Sequence, residues 1–68
     1  MNELWIMVVG SNDKSRKICE GNMKEIESAA FDHSEEVIHD ADKYFELSTP
    51  NKSYTFYSYR DFIALNLI

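Results

Sequence analysis

An alternation of apolar and polar side chains on both sides of one turn constrains this chain more than any other feature. Residues 43–59 contain six of the nine aromatic residues, a residue type that favours strands. Phe45 and Leu47 alternate with more polar neighbours, which is the period of a half-buried strand. Pro50 and Asn51 suit the two central positions of a tight turn. The stretch is therefore predicted to form two strands joined by a Pro-Asn-Lys turn.

The second of these strands is predicted to carry aromatic side chains on both faces. Because successive side chains in a strand point to opposite sides, Tyr54 and Phe56 would share one face. Tyr57 and Tyr59 would share the other face, where they are candidates for contacts with a partner.

A rival interpretation makes residues 34–45 helical. Ser34 and the two glutamates after it would start a fresh helix, which would remove the first strand of the hairpin and produce the order β-α-α-β. The apolar stripe of this helix would consist of Val37, Ile38, Ala41, Tyr44 and Phe45. The two aspartates that flank Ala41 suit a turn better than a helix, so the hairpin is favoured and the helix is the alternative.

The N-terminal residues predict a second pair of strands. Residues 4–9 form a continuous apolar run, whose length suits a strand buried on both faces or the central strand of a small sheet. Residues 10–15 are turn-forming, and residues 16–20 would pair back on the first strand to complete a hairpin. The alternative is a helix that Ser15 caps and that runs through Cys19.

The clearest helix signal begins at Asn22. Asparagine is a good N-cap, and Glu25 stands three residues later, the capping-box spacing at which each side chain satisfies a backbone N–H of the other residue. A helix is therefore predicted from Met23 to about His39. At helical spacing its apolar face carries Met23, Ile26, Ala30, Val37 and Ile38. Its opposite, acidic face carries Glu25, Asp32, Glu35, Glu36 and His39.

The C-terminal residues 60–68 are hydrophobic to the last position. Asp61 is predicted to cap a short terminal helix. The inward-facing side chains of this helix would be Phe62, Ile63 and Leu65. Exposed apolar patches mark contact surfaces, so this tail is expected either to dock on its own core or to hold a homo-oligomer together.

Together these elements predict an α+β fold. An antiparallel sheet of about four strands would carry one amphipathic helix on one face, in the order β-β-α-β-β, followed by a short C-terminal helix. Residues 1–68 are predicted to form a single small domain, since the length leaves no room for a second. A chain this short buries only about 60% of the surface that its unfolded form exposes, so a deep enclosed active site is not expected.

The charge balance of the chain favours some classes of partner over others. Twelve acidic and seven basic side chains produce a formal charge of −5 and a pI near 4.8. Nucleic-acid backbones and anionic membranes both favour Lys and Arg, so neither is expected as a partner, whereas a protein with a basic surface is. The apolar run at 4–9 is too short for a signal peptide core or a membrane span, and the chain is predicted to be cytoplasmic.

The sequence contains no complete motif for catalysis, a cofactor or a metal. Residues 10–15 resemble a phosphate-binding loop only loosely, because the second glycine is missing and the loop is too short. Glu36 and His39 have the Glu-x-x-His spacing of dinuclear carboxylate sites, but those sites need two such motifs and further glutamates. Cys19 is the only cysteine, and no histidine lies near it in sequence. The chain is predicted not to be an enzyme.

Residues 52–59 resemble the aromatic strand signature of RNA-recognition domains, in which exposed rings stack on bases. The basic and aromatic positions of that signature are matched by Lys52, Tyr54, Phe56 and Tyr59. Ser53 and Thr55 replace its small residues, and the nine residues that follow are too few for the helix and strand that complete that fold. Packing of the tyrosines within the sheet is therefore favoured over base stacking.

The function predicted from these features is protein binding. The acidic helix would steer the chain toward a partner with a basic surface, and exposed tyrosines would anchor the contact. The predicted partner-binding residues are Glu25, Asp32, Glu35, Glu36, Tyr57 and Tyr59. A small acidic chain of this kind suits a phage or mobile-element product that regulates or inhibits a host protein, for example by mimicking DNA. The alternatives are single-stranded nucleic-acid binding through Tyr54–Tyr59 and a structural homo-oligomer such as a homodimer.

Overall fold

The computed structural model describes residues 1–10 and 15–68, and it confirms the predicted α+β class. Its elements, in chain order, are β1 (Asn2–Val8), β2 (Arg16–Gly21), α1 (Met23–Ile38), β3 (Lys43–Ser48), β4 (Ser53–Phe56) and α2 (Tyr59–Ala64). The four strands are antiparallel and form a sheet in the spatial order β2-β1-β3-β4. The predicted order of elements is therefore confirmed. The turn and the loose phosphate-loop match predicted at 10–15 lie mostly outside the described residues.

β1 is one of the two central strands, because it pairs with β2 on one side and with β3 on the other. Leu4 and Ile6 point toward α1 and are completely buried. Trp5 and Met7 point away from α1 and are half-buried. Of the two interpretations of the apolar run at 4–9, a central strand of a small sheet is confirmed. Burial on both faces is wrong, since the two helices pack on the same side of the sheet.

The hairpin of β3 and β4 is confirmed, and Thr49 and Lys52 close its turn. The Thr49 N–H and the Thr49 hydroxyl both donate to the Lys52 carbonyl oxygen, at 2.9 and 2.7 Å. The Lys52 N–H donates back to Thr49 Oγ1 at 3.0 Å. β4 ends at Phe56, however, so this strand is shorter than the predicted one, which continued to Tyr59.

The rival helix across residues 34–45 is wrong because α1 ends at Ile38. The turn that follows is built on Asp40. Its Oδ1 accepts a hydrogen bond from the Asp42 N–H at 3.0 Å, and its carbonyl oxygen accepts one from the Lys43 N–H at 3.0 Å. Aspartate side chains form such turns with the backbone two residues on, and here the turn leads directly into β3.

β2 is a strand, and the alternative helix capped by Ser15 is wrong. The pairing of β2 with β1 contains a bulge. Leu4 lies opposite Cys19, whereas the next residue, Trp5, lies opposite Lys17. β2 therefore has one extra residue at this point, which bends the strand and increases its local twist.

α1 begins with the predicted capping box. Asn22 Oδ1 accepts a hydrogen bond from the Glu25 N–H, and Glu25 Oε1 accepts one from the Asn22 N–H, both at 2.9 Å. The inward face of the helix consists of Met23, Ile26, Ala30 and Val37. The prediction that Ile38 shares this face is wrong, because Ile38 is 55% exposed. Val37 occupies the inward position, and the next residue is rotated by about 100° around the helix axis.

The core contains a cluster of three phenylalanine rings. The centroids of the Phe45 and Phe56 rings are 4.9 Å apart, and Phe62 from α2 lies 5.5 Å from Phe56. All three rings are buried, and Leu65 packs against the core to which they belong. The prediction that the C-terminal tail docks on its own core is confirmed. Ile63 is 46% exposed, so its predicted inward packing is wrong.

Replacement of Phe62 by alanine is expected to lower the free energy of unfolding by about 3–5 kcal/mol, because it leaves a cavity beside Phe56. That is a large part of the roughly 5–15 kcal/mol that stabilises a typical domain. Urea denaturation followed by circular dichroism measures the loss. Ile63→Ala is the matched control, since it removes a partly exposed side chain and should cost only about 0.5 kcal/mol. Equal losses in the two variants would contradict the docking of α2 through Phe62.

Candidate functional site

Two surfaces on opposite sides of the molecule are candidates for binding. The first, the outer α1 stripe, consists of Phe31, Asp32, Glu35 and Ile38. The second, the open sheet face, consists of the strand side chains that point away from the helices, together with Tyr57 just after β4: Glu3, Trp5, Met7, Lys17, Glu20, Tyr44, Glu46, Ser48, Ser53, Thr55 and Tyr57. The outer α1 stripe faces away from the sheet, and the open sheet face is on the side of the sheet that α1 does not cover, so the two surfaces are separate.

The outer α1 stripe places two apolar side chains among carboxylates. Phe31 is 64% exposed and Ile38 is 55% exposed, although both belong to the helix that covers the core. Positions i, i+4 and i+7 lie on one helix face, so Glu35 stands between the two apolar side chains. Asp32 is exposed beside Phe31. A groove of about 470 Å³ lies along the stripe, between α1 and α2.

Tyr59 forms the α2 wall of this groove. Its N–H donates to Ser34 Oγ at 2.9 Å and its hydroxyl donates to Glu27 Oε2 at 3.0 Å, and the latter bond raises the pKa of Tyr59. Its ring meets the Phe31 ring edge-on, with 5.1 Å between the centroids. The prediction that Tyr57 and Tyr59 share one strand face is therefore wrong.

Ser58 explains why the strand does not continue to Tyr59. Ser58 Oγ accepts a hydrogen bond from the Asp61 N–H at 3.1 Å, which makes serine the N-cap of α2. The Asp61 carboxylate accepts a hydrogen bond from the Tyr57 N–H at 3.3 Å. The prediction that Asp61 is the capping residue is wrong, since Asp61 occupies the third position of the helix.

The aromatic residues that resemble the RNA-recognition signature do not share an exposed surface. Phe56 is 2% exposed in the core, and Tyr54 packs on the same covered side of the sheet. Tyr59 belongs to α2. Of the three tyrosines at positions 52–59, Tyr57 is the one that reaches the open sheet face, where it lies beside Tyr44 with 6.2 Å between the ring centroids. The resemblance therefore does not extend to an exposed platform for successive bases.

Glu36 belongs to an ion cluster. Its carboxylate accepts hydrogen bonds from Arg16 Nη2 at 2.8 and 2.7 Å and from Lys43 Nζ at 3.1 Å, and His33 Nδ1 lies 3.5 Å away. The Arg16 hydrogen bonds, supported by those from Lys43 and His33, lower the pKa of Glu36 to about 2 against the opposing effect of burial. The cluster joins β2, α1 and β3. The predicted position of Glu36 on the outer acidic face is therefore wrong.

Among the predicted partner-binding residues, the structure brings Asp32 and Glu35 together on the outer α1 stripe. Tyr59 lines the groove beside them. Glu25 is committed to the capping box, where its carboxylate holds the Asn22 N–H. The remaining tyrosine, at position 57, lies on the opposite side of the sheet. Partner binding by these residues stays a prediction.

Sequence reasoning did not identify Phe31 or Trp5 as surface residues. For Phe31 a signal was present, because it lies about 140° around the helix from Ile26, which is on the inward face. For Trp5 the sequence contained no such signal, because residues 4–9 are apolar throughout and do not show which side chains of the strand point into the core. Both residues were overlooked because large apolar side chains are expected inside.

A depression of about 500 Å³ between β2 and α1 contains Cys19. The Cys19 thiol donates to the Glu25 carbonyl oxygen at 3.5 Å, and burial raises the pKa of this thiol. A thiol that stays protonated is a weak nucleophile. Within residues 1–10 and 15–68, no group of three or more His, Cys, Asp or Glu side chains is arranged to hold a metal ion.

No protein-family model matches the chain, and searches of curated proteins and of solved structures found no significant match. In the part of the chain that the structure describes, no helix is long and apolar enough to cross a membrane. Function is therefore inferred from the two surfaces themselves.

The ion cluster around Glu36 is expected to stabilise the fold in a pH-dependent way. The pKa of Glu36 is lowered from 4.5 to about 2 in the folded chain, so its stabilising effect is present above pH 4.5 and is lost as the pH falls to about 2. Glu36→Gln should lower the free energy of unfolding at neutral pH by about 1 kcal/mol, a small value because solvent screens this partly exposed cluster.

Urea denaturation of wild type and variant across acidic and neutral pH measures this effect. Glu35→Gln is the control, because it makes the same change of charge at a neighbouring position that has no contact with Arg16 or Lys43. The role of the cluster would be contradicted if the free energy of unfolding of the wild type exceeded that of Glu36→Gln by the same amount in strong acid as at neutral pH. Equal effects of the two substitutions would also contradict it.

Proposed function

We propose that this chain is a non-enzymatic protein-binding module that docks the outer α1 stripe on a basic surface of its partner. The observation that carries the proposal is the exposure of Phe31 and Ile38 on a helix face that also presents carboxylates. Large apolar side chains exposed together mark interaction surfaces. Here they stand two helical turns apart, with Glu35 between them and Asp32 alongside.

The apolar pair would supply binding energy, and the carboxylates would supply specificity. A few apolar or aromatic anchors carry most of the energy of a typical interface. Complementary charge around them speeds association and rejects partners of the same sign. The formal charge of −5 adds to this steering. A partner with an apolar pocket rimmed by Lys or Arg therefore fits the stripe best.

The stripe is also held in place before binding. The Tyr59 ring packs edge-on against Phe31, and Tyr59 is itself fixed by hydrogen bonds to Ser34 and Glu27. The capping box fixes the start of α1. Because preorganised groups lose less freedom on binding, this packing supports a binding role for the stripe.

Regulation or inhibition of the partner would follow from occupying its basic surface. Where that surface serves to bind DNA, the carboxylates of Asp32 and Glu35 would stand in place of phosphates. The negative charge of the chain opposes the alternative of nucleic-acid binding. The alternative of a homo-oligomer held by the tail has fewer apolar groups available, because Phe62, Leu65 and Leu67 pack on the chain's own core.

Affinity capture followed by a binary binding measurement tests the proposal. The tagged chain, incubated with a nuclease-treated lysate of its source cells or their host, is expected to retain a protein that the Glu35→Lys and Phe31→Ser variants lose. The captured protein, once purified, is titrated with each variant by calorimetry. Each substitution should weaken binding by about tenfold or more, since truncation of an anchor costs about 2 kcal/mol.

Asp42→Lys is the matched control, because Asp42 is exposed in the turn after α1 and lies outside the stripe. It makes the same charge reversal as Glu35→Lys and should bind the partner as wild type does. An equal loss of binding in both variants would show that net charge alone matters, and it would contradict docking through the stripe. Capture from an untreated lysate that is lost after nuclease treatment would favour a nucleic-acid partner instead.

A further inference from the structure

A depression of about 280 Å³ lies on the open sheet face, where it is lined by Trp5, Met7, Ser15 and Glu46. Trp5 on β1 lies directly opposite Glu46 on β3. Residues directly opposite each other in an antiparallel pair have Cβ atoms about 4.5–5.5 Å apart. The indole ring and the carboxylate therefore border the same space.

The aromatic wall of this depression is positioned by the fold. The Trp5 Nε1–H donates to Glu3 Oε1 at 3.1 Å, which orients the indole ring. At the β2 side, Ser15 Oγ accepts a hydrogen bond from the Val8 N–H at 3.2 Å. The ring is therefore a preformed surface on which a planar or cationic group can stack.

The open sheet face is negatively charged. Its charged side chains are three carboxylates and one ammonium group. The ammonium group belongs to Lys17, which pairs with the Glu20 carboxylate at 2.7 Å. Within residues 1–10 and 15–68, the Glu46 carboxylate forms no hydrogen bond or ion pair of its own. A positively charged group entering the depression would therefore meet a carboxylate that no described cation neutralises.

We infer that this depression binds an arginine side chain of a partner polypeptide, with the guanidinium stacked on Trp5 and hydrogen-bonded to Glu46. Tryptophan is the best aromatic partner for a cation. The planar guanidinium stacks on rings and forms bidentate hydrogen bonds with carboxylates. The apolar stem of the arginine would pack against Met7. The charge of the face disfavours both a phosphate group and a second copy of this acidic chain.

This site is independent of the outer α1 stripe, which lies on the other side of the sheet. The two surfaces together would allow the chain to contact one partner on each side, or one partner that wraps around it. The rings of Tyr44 and Tyr57, side by side on the same face, extend the surface available to the segment that carries the arginine.

Trp5 is the only tryptophan of the chain, so its fluorescence reports directly on this depression. A blocked tetra-arginine peptide, added to the full chain at physiological salt, is expected to quench Trp5 fluorescence saturably. Glu46→Gln should raise the dissociation constant by about fivefold or more, because it removes the charge that faces the guanidinium. A tetra-lysine peptide should bind more weakly, since an ammonium group cannot pair in a bidentate way.

Two variants make the test specific. Asp42→Asn changes the net charge as Glu46→Gln does, but outside the open sheet face, and should leave the dissociation constant within about twofold. Phe31→Ser removes an anchor of the outer α1 stripe and should leave peptide binding unchanged. Loss of peptide binding at the open sheet face can therefore be told apart from loss of partner binding at the outer α1 stripe.

Equal weakening by Glu46→Gln and Asp42→Asn would overturn the inference, because it would show attraction to net charge alone. So would the absence of quenching in a chain whose circular dichroism spectrum shows that it is folded. Quenching of Trp5 by oligothymidine, or by a rise in the concentration of the chain alone, would assign the depression to nucleic acid or to a second copy and would also overturn it.

Discussion

The aromatic contact between the β3–β4 hairpin and α2 is the interaction on which the rest of the structure depends. Phe45 and Phe56 stack across neighbouring strands, and Phe62 from α2 packs at an angle against Phe56. α2 has six residues, and a helix this short is not stable without tertiary packing. This aromatic cluster therefore determines where α2 lies, and with it where Tyr59 meets Phe31 on the outer surface of α1.

The second constraint is the small amount of helix available to cover the sheet. α1 and α2 pack on one side, and none of the described residues covers the other. Antiparallel sheets often have one solvated face, which is then polar. Here that face carries Trp5, Met7, Tyr44 and Tyr57 among its charges. Aromatic side chains on a solvated face are typical of a contact surface, which is why both sides of the molecule are candidates for binding.

Local signals predicted the fold because they act over a few residues. Asn22 and Glu25 stand three positions apart, so the start of α1 could be read from their chemistry alone, and the strands followed from alternation around short turns. The site could be predicted only in part, because its side chains depend on distant elements. Glu36 fits the acidic pattern of α1, but Arg16, 20 residues away, removes it from the outer surface. In the sequence, Tyr59 continues the alternation of a strand. In the structure, the N-cap of α2 at Ser58 ends that pattern before Tyr59.

Amide chemical-shift mapping of the labelled chain, titrated with its purified partner, tests docking through the outer α1 stripe most directly. The expected result is that the largest shifts occur at Phe31, Asp32, Glu35 and Ile38, and that they saturate with the same dissociation constant as the calorimetric titration. Shifts confined to the strands of the open sheet face or to the C-terminal tail, with α1 unchanged, would contradict that claim.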